Sequence, residues 1–240
     1  SEKKAQFYLT GSQQFELMQG VSESLAGRIG IINLLGLSLR EIKGIDFNEP
    51  FIPTENYLEK RAEHFKNISY DELWEIIHKG SMPLMYEKDS DFDMYYATYV
   101  NTYIEMDVRK LINIGNIETF KKFMRDIAIR TGTTLNYSDI ANDVGVAVNT
   151  IKDWVSILVS TGIIYLLEPY SSNKLKRLTH MPKIIFMDSG LACYLANWEN
   201  AKALQLSEIS GHFFESYVVS ELIKSYDNKG INLEISHFRN

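Results

Sequence analysis

Cysteine is nearly absent: Cys193 stands alone in 240 residues, which excludes an internal disulfide framework and a cysteine-rich zinc site. Histidine is sparse too, with five scattered residues and no H-E-x-x-H pattern, so a catalytic metal is not expected. No apolar run approaches the roughly 18 residues that a membrane-spanning helix needs, and no secretory leader pattern occurs. A soluble cytoplasmic protein with no membrane partner is the expectation. The dipeptide Gly-Lys occurs nowhere, so the G-x-x-x-x-G-K-S/T loop that cradles nucleotide phosphates is missing from the sequence. No apolar strand ending in Asp-Glu offers to hold Mg2+ and polarise water.

What is there suits a globular chain of one large domain or two to three small ones, with ample apolar and aromatic residues. The net charge of −6 excludes a uniformly basic nucleic-acid binder. Most of the excess acid falls in residues 51–100, from Glu55, Glu59 and Glu63 through Asp71, Glu72 and Glu75 to Glu87, Asp89, Asp91 and Asp93. Elsewhere the balance is near neutral, with basic clusters at Lys121, Lys122 and Arg125 and at Lys174, Lys176 and Arg177. DNA contact by a later segment stays open.

Residues 7–48 read as strand, helix and strand, with IGIINLLGLSL as a continuous buried run. SYDELWEIIHKGSMP is a helix with Ser69 and Glu72 at capping-box spacing and Gly80 and Pro83 as stops. Residues 91–112 carry Ala97, Val100, Ile104, Val108 and Leu111 on one helical stripe, with Glu105 and Arg109 placed for an i,i+4 pair. Another helix starts at Ile117, with Phe120, Met124, Ile127 and Ala128 inward, and ends near Gly132. HFFESYVVSELIKSY reads as an amphipathic helix and INLEISHF as an alternating strand.

The most specific local signal is a helix–turn–helix over residues 136–161. Asn136 caps a short helix with Ile140, Ala141 and Val144 inward, and Gly145 supplies the tight turn. Asn149 caps a second helix with Ile151, Trp154, Val155 and Leu158 inside, closed by Gly162. The strand IIYLLE and the turn PYSSN then lead to Lys174, Lys176 and Arg177, a candidate wing. In the functional reading Asn149, Thr150 and Lys152 face the DNA major groove while the wing cations touch phosphate. In the plainer reading the winged helix serves packing or protein contact, because Asp153 offsets Lys152 and the second helix has no arginine.

Near the start, FYLTGS is a short apolar run ending in polar residues, the way a buried strand delivers side chains to a sheet rim. On these residues alone Thr10 and Ser12 read as loop polar groups and Arg28 as a solvated or ion-paired arginine. The runs LTGS, ESLAGR, MDSGLACYL and FESYVVSEL, however, resemble a widespread prokaryotic family of predicted AAA+ ATPases that carry a C-terminal domain of unknown function. The similarity covers nearly the whole chain. It implies that the LTGS strand is a sensor strand, with Ser12 (or Thr10) near the γ-phosphate and Arg28 as a sensing arginine that stabilises transferring charge. ATP and Mg2+ would belong to the intact ATPase, whose phosphate loop and Mg2+ aspartate precede this strand in the family. The chain is thus expected to be a C-terminal fragment with no cofactor of its own.

The family's final part is similar to the PD-(D/E)XK nuclease-like fold, which makes Glu215 and Glu221 candidate helix carboxylates. They stand six apart, off any one narrow helical face, and the chain shows no matching acidic strand, so nuclease chemistry is not expected. Asp107 and Arg109 in IEMDVRK and Asp188 in FMDSG also match family motifs. Structural roles suffice for them: a brace in the helix bundle for the pair, and a cap on the helix near Gly190 for Asp188.

The expected fold class is α+β, predominantly helical. It comprises the remnant of an AAA+ ATPase (P-loop) core over 1–48, an acidic helical linker over 49–90, and a helical bundle with a winged helix over 91–180. The start of a restriction-endonuclease-like α/β domain occupies 181–240. The function expected is the regulatory and interaction portion of an ATPase, inactive in hydrolysis alone and contacting DNA, a partner protein or a second copy of itself. The alternative is a stand-alone, non-catalytic winged-helix DNA-binding protein.

Overall fold

Several helix starts in the computed structural model fall where short polar side chains satisfy the first backbone amides. It describes residues 32–103, 108, 117–170 and 181–238, all within one compact unit that spans residues 32–240. Ser38 caps α1 (Leu39–Ile42) in a reciprocal capping box with Glu41. Thr54 caps α2 (Glu55–Glu63). Ser69 caps α3 (Tyr70–Lys79) by accepting from the Glu72 amide, while the Glu72 carboxylate pairs with Lys43, so half of the expected box forms. Gly80 then ends α3 at φ 82°. A 3-10 turn at Pro83–Tyr86 leads to α4 (Phe92–Tyr103), and α5 (Ile117–Ile129) follows.

Next come α6 (Tyr137–Val144) and α7 (Val148–Ser160), the expected helix pair. The Asn136 side-chain oxygen accepts from the Ser138 and Asp139 amides at 3.1 and 3.4 Å. Asn136→Ala is therefore expected to cost about 1 kcal/mol, read as a fall of roughly 2–4 °C in thermal midpoint by far-UV circular dichroism. Strand β1 (Ile164–Leu167) pairs antiparallel with β2 (Lys183–Phe186), Ile164 standing opposite Phe186. α8 (Ser189–Leu195), α9 (Ala201–Gln205) and the long α10 (Ser210–Asp227) complete the described elements.

The core forms where the apolar stripes of α5 and α7 meet. Phe120, Phe123, Met124, Ile127 and Ala128 face Ile151, Trp154, Val155 and Leu158, all buried. The Trp154 ring lies 5.1 Å from Phe120 and 5.2 Å from Phe123, a separation at which aromatic pairs add attraction beyond area burial. The hairpin splits its residues by alternation: Ile164, Ile184 and Phe186 join this core, while Leu167 and Ile185 pack against Val219 and Ile223 of α10. Residues 132–135 bond along the free edge of β2. Gly132 N–H donates to the Ile184 carbonyl (2.7 Å), Ile184 N–H to Thr133 (2.9 Å) and Leu135 N–H to Pro182 (2.8 Å). The extended segments thus run in the order 132–135, β2, β1.

Four sequence expectations change. The described part of IGIINLLGLSL is not a buried strand: residues 32–38 pair with no strand among the described residues, and Ile32 and Leu34 are 82% and 92% exposed. Helix α7 is entered at Ala147, without a side-chain cap, so Asn149 lies inside its first turn and is not the cap. INLEISHF keeps alternating exposure, with Leu233, Ile235 and His237 inward, but forms no strand. Its backbone meets the hairpin only around His237, which donates to Glu168 O and accepts from Tyr170 N–H. The stretch KIIFMD pairs with β1 across the 180/181 position where a boundary is expected. The expected helix of residues 91–112 is seen to Tyr103, and Val108 on its stripe is buried. Its Glu105–Arg109 pair lies outside the described residues, as do FYLTGS, Asp107, Ser12 and Arg28.

Candidate functional site

Two short helices can present a reading surface only if the turn between them is tight. Gly145 provides that turn at φ 86°, a left-handed conformation, and nothing lies within 4 Å of where a Cβ would stand, so conformation and not space requires glycine. On the outer side of α7, Asn149, Lys152 and Asp153 are exposed and Thr150 is half-buried. Val148 and Val159 share this exposed side. Lys152 leans over the Tyr137 ring, its Nζ 5.9 Å from the centroid. The helix thus offers one cation, already engaged with a ring and countered by Asp153.

Neighbouring cations are largely committed. Lys121 pairs with Glu118 at 3.5 Å, Lys122 donates to the Val144 carbonyl at 3.4 Å, and Arg130 bridges Asp126 and Asp143. At the base of the hairpin Lys183 pairs with Glu215 at 2.5 Å. Lys174, Lys176 and Arg177 fall between β1 and β2 in the chain and lie outside the described residues. A cleft of about 760 Å³ opens between α4, α5 and the end of α8, with Arg125, Asp93, Tyr194 and Trp198 on its walls. Its mixed charges select no ligand class.

The carboxylates expected of a nuclease are not brought together. Glu215 faces Lys183, whereas Glu221 accepts from the Leu39 amide (2.8 Å) and from Lys224 Nζ (3.1 Å). Among the described residues no group of three or more His, Cys, Asp or Glu side chains is arranged to hold a metal.

The densest polar arrangement lies at Asp188. As its spacing suggests, it caps α8 by accepting from the Leu191 amide (2.6 Å). The same oxygen, Oδ1, accepts from the Tyr96 hydroxyl (2.8 Å), and Oδ2 accepts from both the amide (2.6 Å) and the hydroxyl (2.7 Å) of Ser81. Asp188 is 6% exposed, and these donors use all four acceptor positions of a carboxylate. Burial first, and the Asp188 charge second, push the Tyr96 hydroxyl far above the ordinary tyrosine range, so it stays a donor. Burial likewise drives the Cys193 thiol well up, which leaves it an inert packing group. Asp188 therefore joins the end of α3, α4 and α8 as a brace. Ser81, Tyr96 and the buried Lys224 are missing from the sequence reading, since no spacing rule connects positions 81, 96 and 188.

A family model described as a domain of unknown function (DUF8612) matches residues 70–202, and one described as an AAA domain matches residues 1–43. Two uncharacterized proteins, Mb2031c of Mycobacterium bovis and Rv2008c of Mycobacterium tuberculosis, are each 24% identical to the chain over 220 residues. The match takes in 91% of this chain and 44% of theirs, so the chain spans less than half the length of these curated relatives. No solved structure matches it. Among the described residues no helix is long and apolar enough to cross a membrane.

Proposed function

We propose, from the premise that this chain belongs to the family described as a domain of unknown function (DUF8612), that it is the regulatory and interaction portion of an AAA-type ATPase. In this reading it makes contact through a winged helix and does not hydrolyse ATP alone. One observation carries the contact surface: the helices α5, α6 and α7 lead into extended segments in the order 132–135, β2, β1. A helix pair followed by a short antiparallel hairpin is the arrangement that a winged-helix reading calls for. Asn149, Thr150 and Lys152 then face the major groove, and Lys174, Lys176 and Arg177 approach phosphates from the wing. In this reading ATP and Mg2+ belong to the intact ATPase, since the sequence carries no G-x-x-x-x-G-K-S/T loop. Ser12 and Arg28 keep sensor roles only within the intact ATPase.

The test is a mobility shift with a random-sequence DNA duplex over a salt series. The chain is expected to bind with strong salt dependence. The combined Lys174→Ala, Lys176→Ala and Arg177→Ala variant should lower the slope of log affinity against log salt by about 3, close to one for each phosphate no longer neutralised. Binding at no salt concentration would overturn the DNA reading. Protein contact is the second reading, favoured by the Lys152–Asp153 offset and by the exposure of Val148 and Val159.

A further inference from the structure

Residues 36–66 meet the rest of the fold through main-chain groups, through the half-buried Leu39 and Ile42, which pack against the main core, and through the Lys43–Glu72 pair. Ile45, Phe47 and Tyr57 form a small apolar cluster of their own with Phe51, separate from the main core. Arg40 ties this cluster together from within. Its Nη1 donates to the carbonyls of Phe47 (3.0 Å) and Glu49 (2.7 Å), and its Nη2 to the Tyr57 hydroxyl (2.9 Å). The segment therefore has internal order that does not depend on the main core.

Its attachments are of another kind. Four nearby side chains of α10 hold it by main-chain groups. Glu221 accepts from the Leu39 amide (2.8 Å), and Lys224 donates to the Leu37 carbonyl (3.1 Å). Ser225 accepts from the Phe51 amide (3.4 Å), and the Tyr226 hydroxyl donates to the Phe51 carbonyl (2.6 Å). From the other side the Leu37 amide donates to the Ser81 carbonyl (2.7 Å), and Ser81 is the residue that Asp188 holds. Lys224 is sealed in, with a side chain 2% exposed beside the partly exposed Glu221.

We propose that residues 36–66 form a strap that opens and closes on α10 as a unit, with Glu221 and Lys224 as its latch. The physical case lies in what opening exchanges. Hydrogen bonds from side chains to backbone are replaced by bonds to water at small net cost. Opening also hydrates the buried Lys224 ammonium and its carboxylate partner, which recovers part of their desolvation cost. The apolar contacts among Ile45, Phe47, Phe51 and Tyr57 travel with the strap, while the half-buried Leu39 and Ile42 give up their contact with the main core. Such an opening lies well below global unfolding in free energy. Residues 36–43 of the strap are also the last residues of the AAA-matching stretch. The latch holds Leu37 and Leu39 among them to α10, while Leu37 is joined through Ser81 and Asp188 to α4 and α8. This coupling meaning rests on the function proposed above, whereas the opening itself does not.

Hydrogen exchange of the full chain, read by mass spectrometry, tests the strap independently of any DNA or nucleotide result. In Glu221→Ala, peptides within residues 37–66 should exchange about tenfold faster, the equivalent of one charge-assisted hydrogen bond. Peptides of α5 (117–129) and β2 (183–186) should keep their rates. Tyr226→Phe, which removes one hydroxyl and keeps the packing, should speed exchange around Phe51 about threefold, and it carries the test if Glu221→Ala does not fold. Unchanged exchange over 37–66 would overturn the proposal. Acceleration of α5 and β2 in step with the strap would overturn it as well, since Glu221 would then be holding the whole fold.

Discussion

Asp188→Ala should unfold at a much lower urea concentration than the unaltered chain, with a loss of about 3–5 kcal/mol. The substitution strands four donors at once: the Ser81 amide and hydroxyl, the Tyr96 hydroxyl and the Leu191 amide. Each buried group left without a partner costs about 1–3 kcal/mol. The total falls short of the sum because the Tyr96 hydroxyl keeps the Lys79 carbonyl at 3.1 Å and water can enter the vacated space. A domain of ordinary stability holds about 5–15 kcal/mol in all, so the variant should stand near the edge of folding. Asp188→Asn separates a brace from a chemical role. It keeps the shape, turns two acceptor positions into donors facing donors, and should still cost about 2 kcal/mol or more. A loss under about 1 kcal/mol for both variants, with the urea slope unchanged, would show that Asp188 is not what joins α3, α4 and α8.

Gly190→Ala is the second large effect, expected to cost about 3 kcal/mol. A Cβ at position 190 would stand 2.5 Å from the Lys79 carbonyl oxygen and 2.8 Å from Gly80 Cα. These two obstacles are backbone at the end of α3, and the Tyr96 hydroxyl stands nearer still, so relief requires moving that helix end away from α8 and displacing Tyr96 as well. The contact is mutual: a Cβ on Gly80 would lie 2.7 Å from Gly190 Cα, and Gly80 has φ 82° besides. Gly211→Ala serves as the control, because nothing lies within 4 Å of a Cβ there. In the first turn of α10 it should stabilise by about 0.5 kcal/mol. Parallel urea titrations that gave the two variants equal midpoints would refute the close approach of α3 and α8.

Both effects concern the run MDSGLACYL, whose resemblance to an ATPase-linked domain of unknown function is legible in the letters and is matched by the family model. The letters also show that Asp188 starts a helix, because capping depends on three neighbouring residues. They do not show that Ser81 and Tyr96 complete its shell, since those partners are 107 and 92 positions away. The helix–turn–helix was readable for a similar reason. Asn136, Gly145 and the inward stripes act within one turn of their own backbone, and all take the expected places. IGIINLLGLSL misleads because apolarity signals burial without naming the burying partner, and Ile32 and Leu34 stand exposed.

By itself, the sequence determined the starts and stops of α3, α5 and α6, the capped start of α8, the apolar stripes of α5 and α7, and the resemblance that the family models match over residues 70–202 and 1–43. These depend on short-range periodicity and on residue runs long enough to be specific. Only the tertiary structure decided that Glu215 is spent on Lys183 and that Glu221 and Lys224 hold the backbone at Leu37 and Leu39. It alone decided, too, that 132–135 and KIIF flank one another in the sheet. Those pairings join positions 32 to 187 residues apart or run between sheet edges, and charge or polarity in a sequence does not say which opposite group it will meet. That choice is made when the apolar faces pack and bring the remaining polar groups within reach.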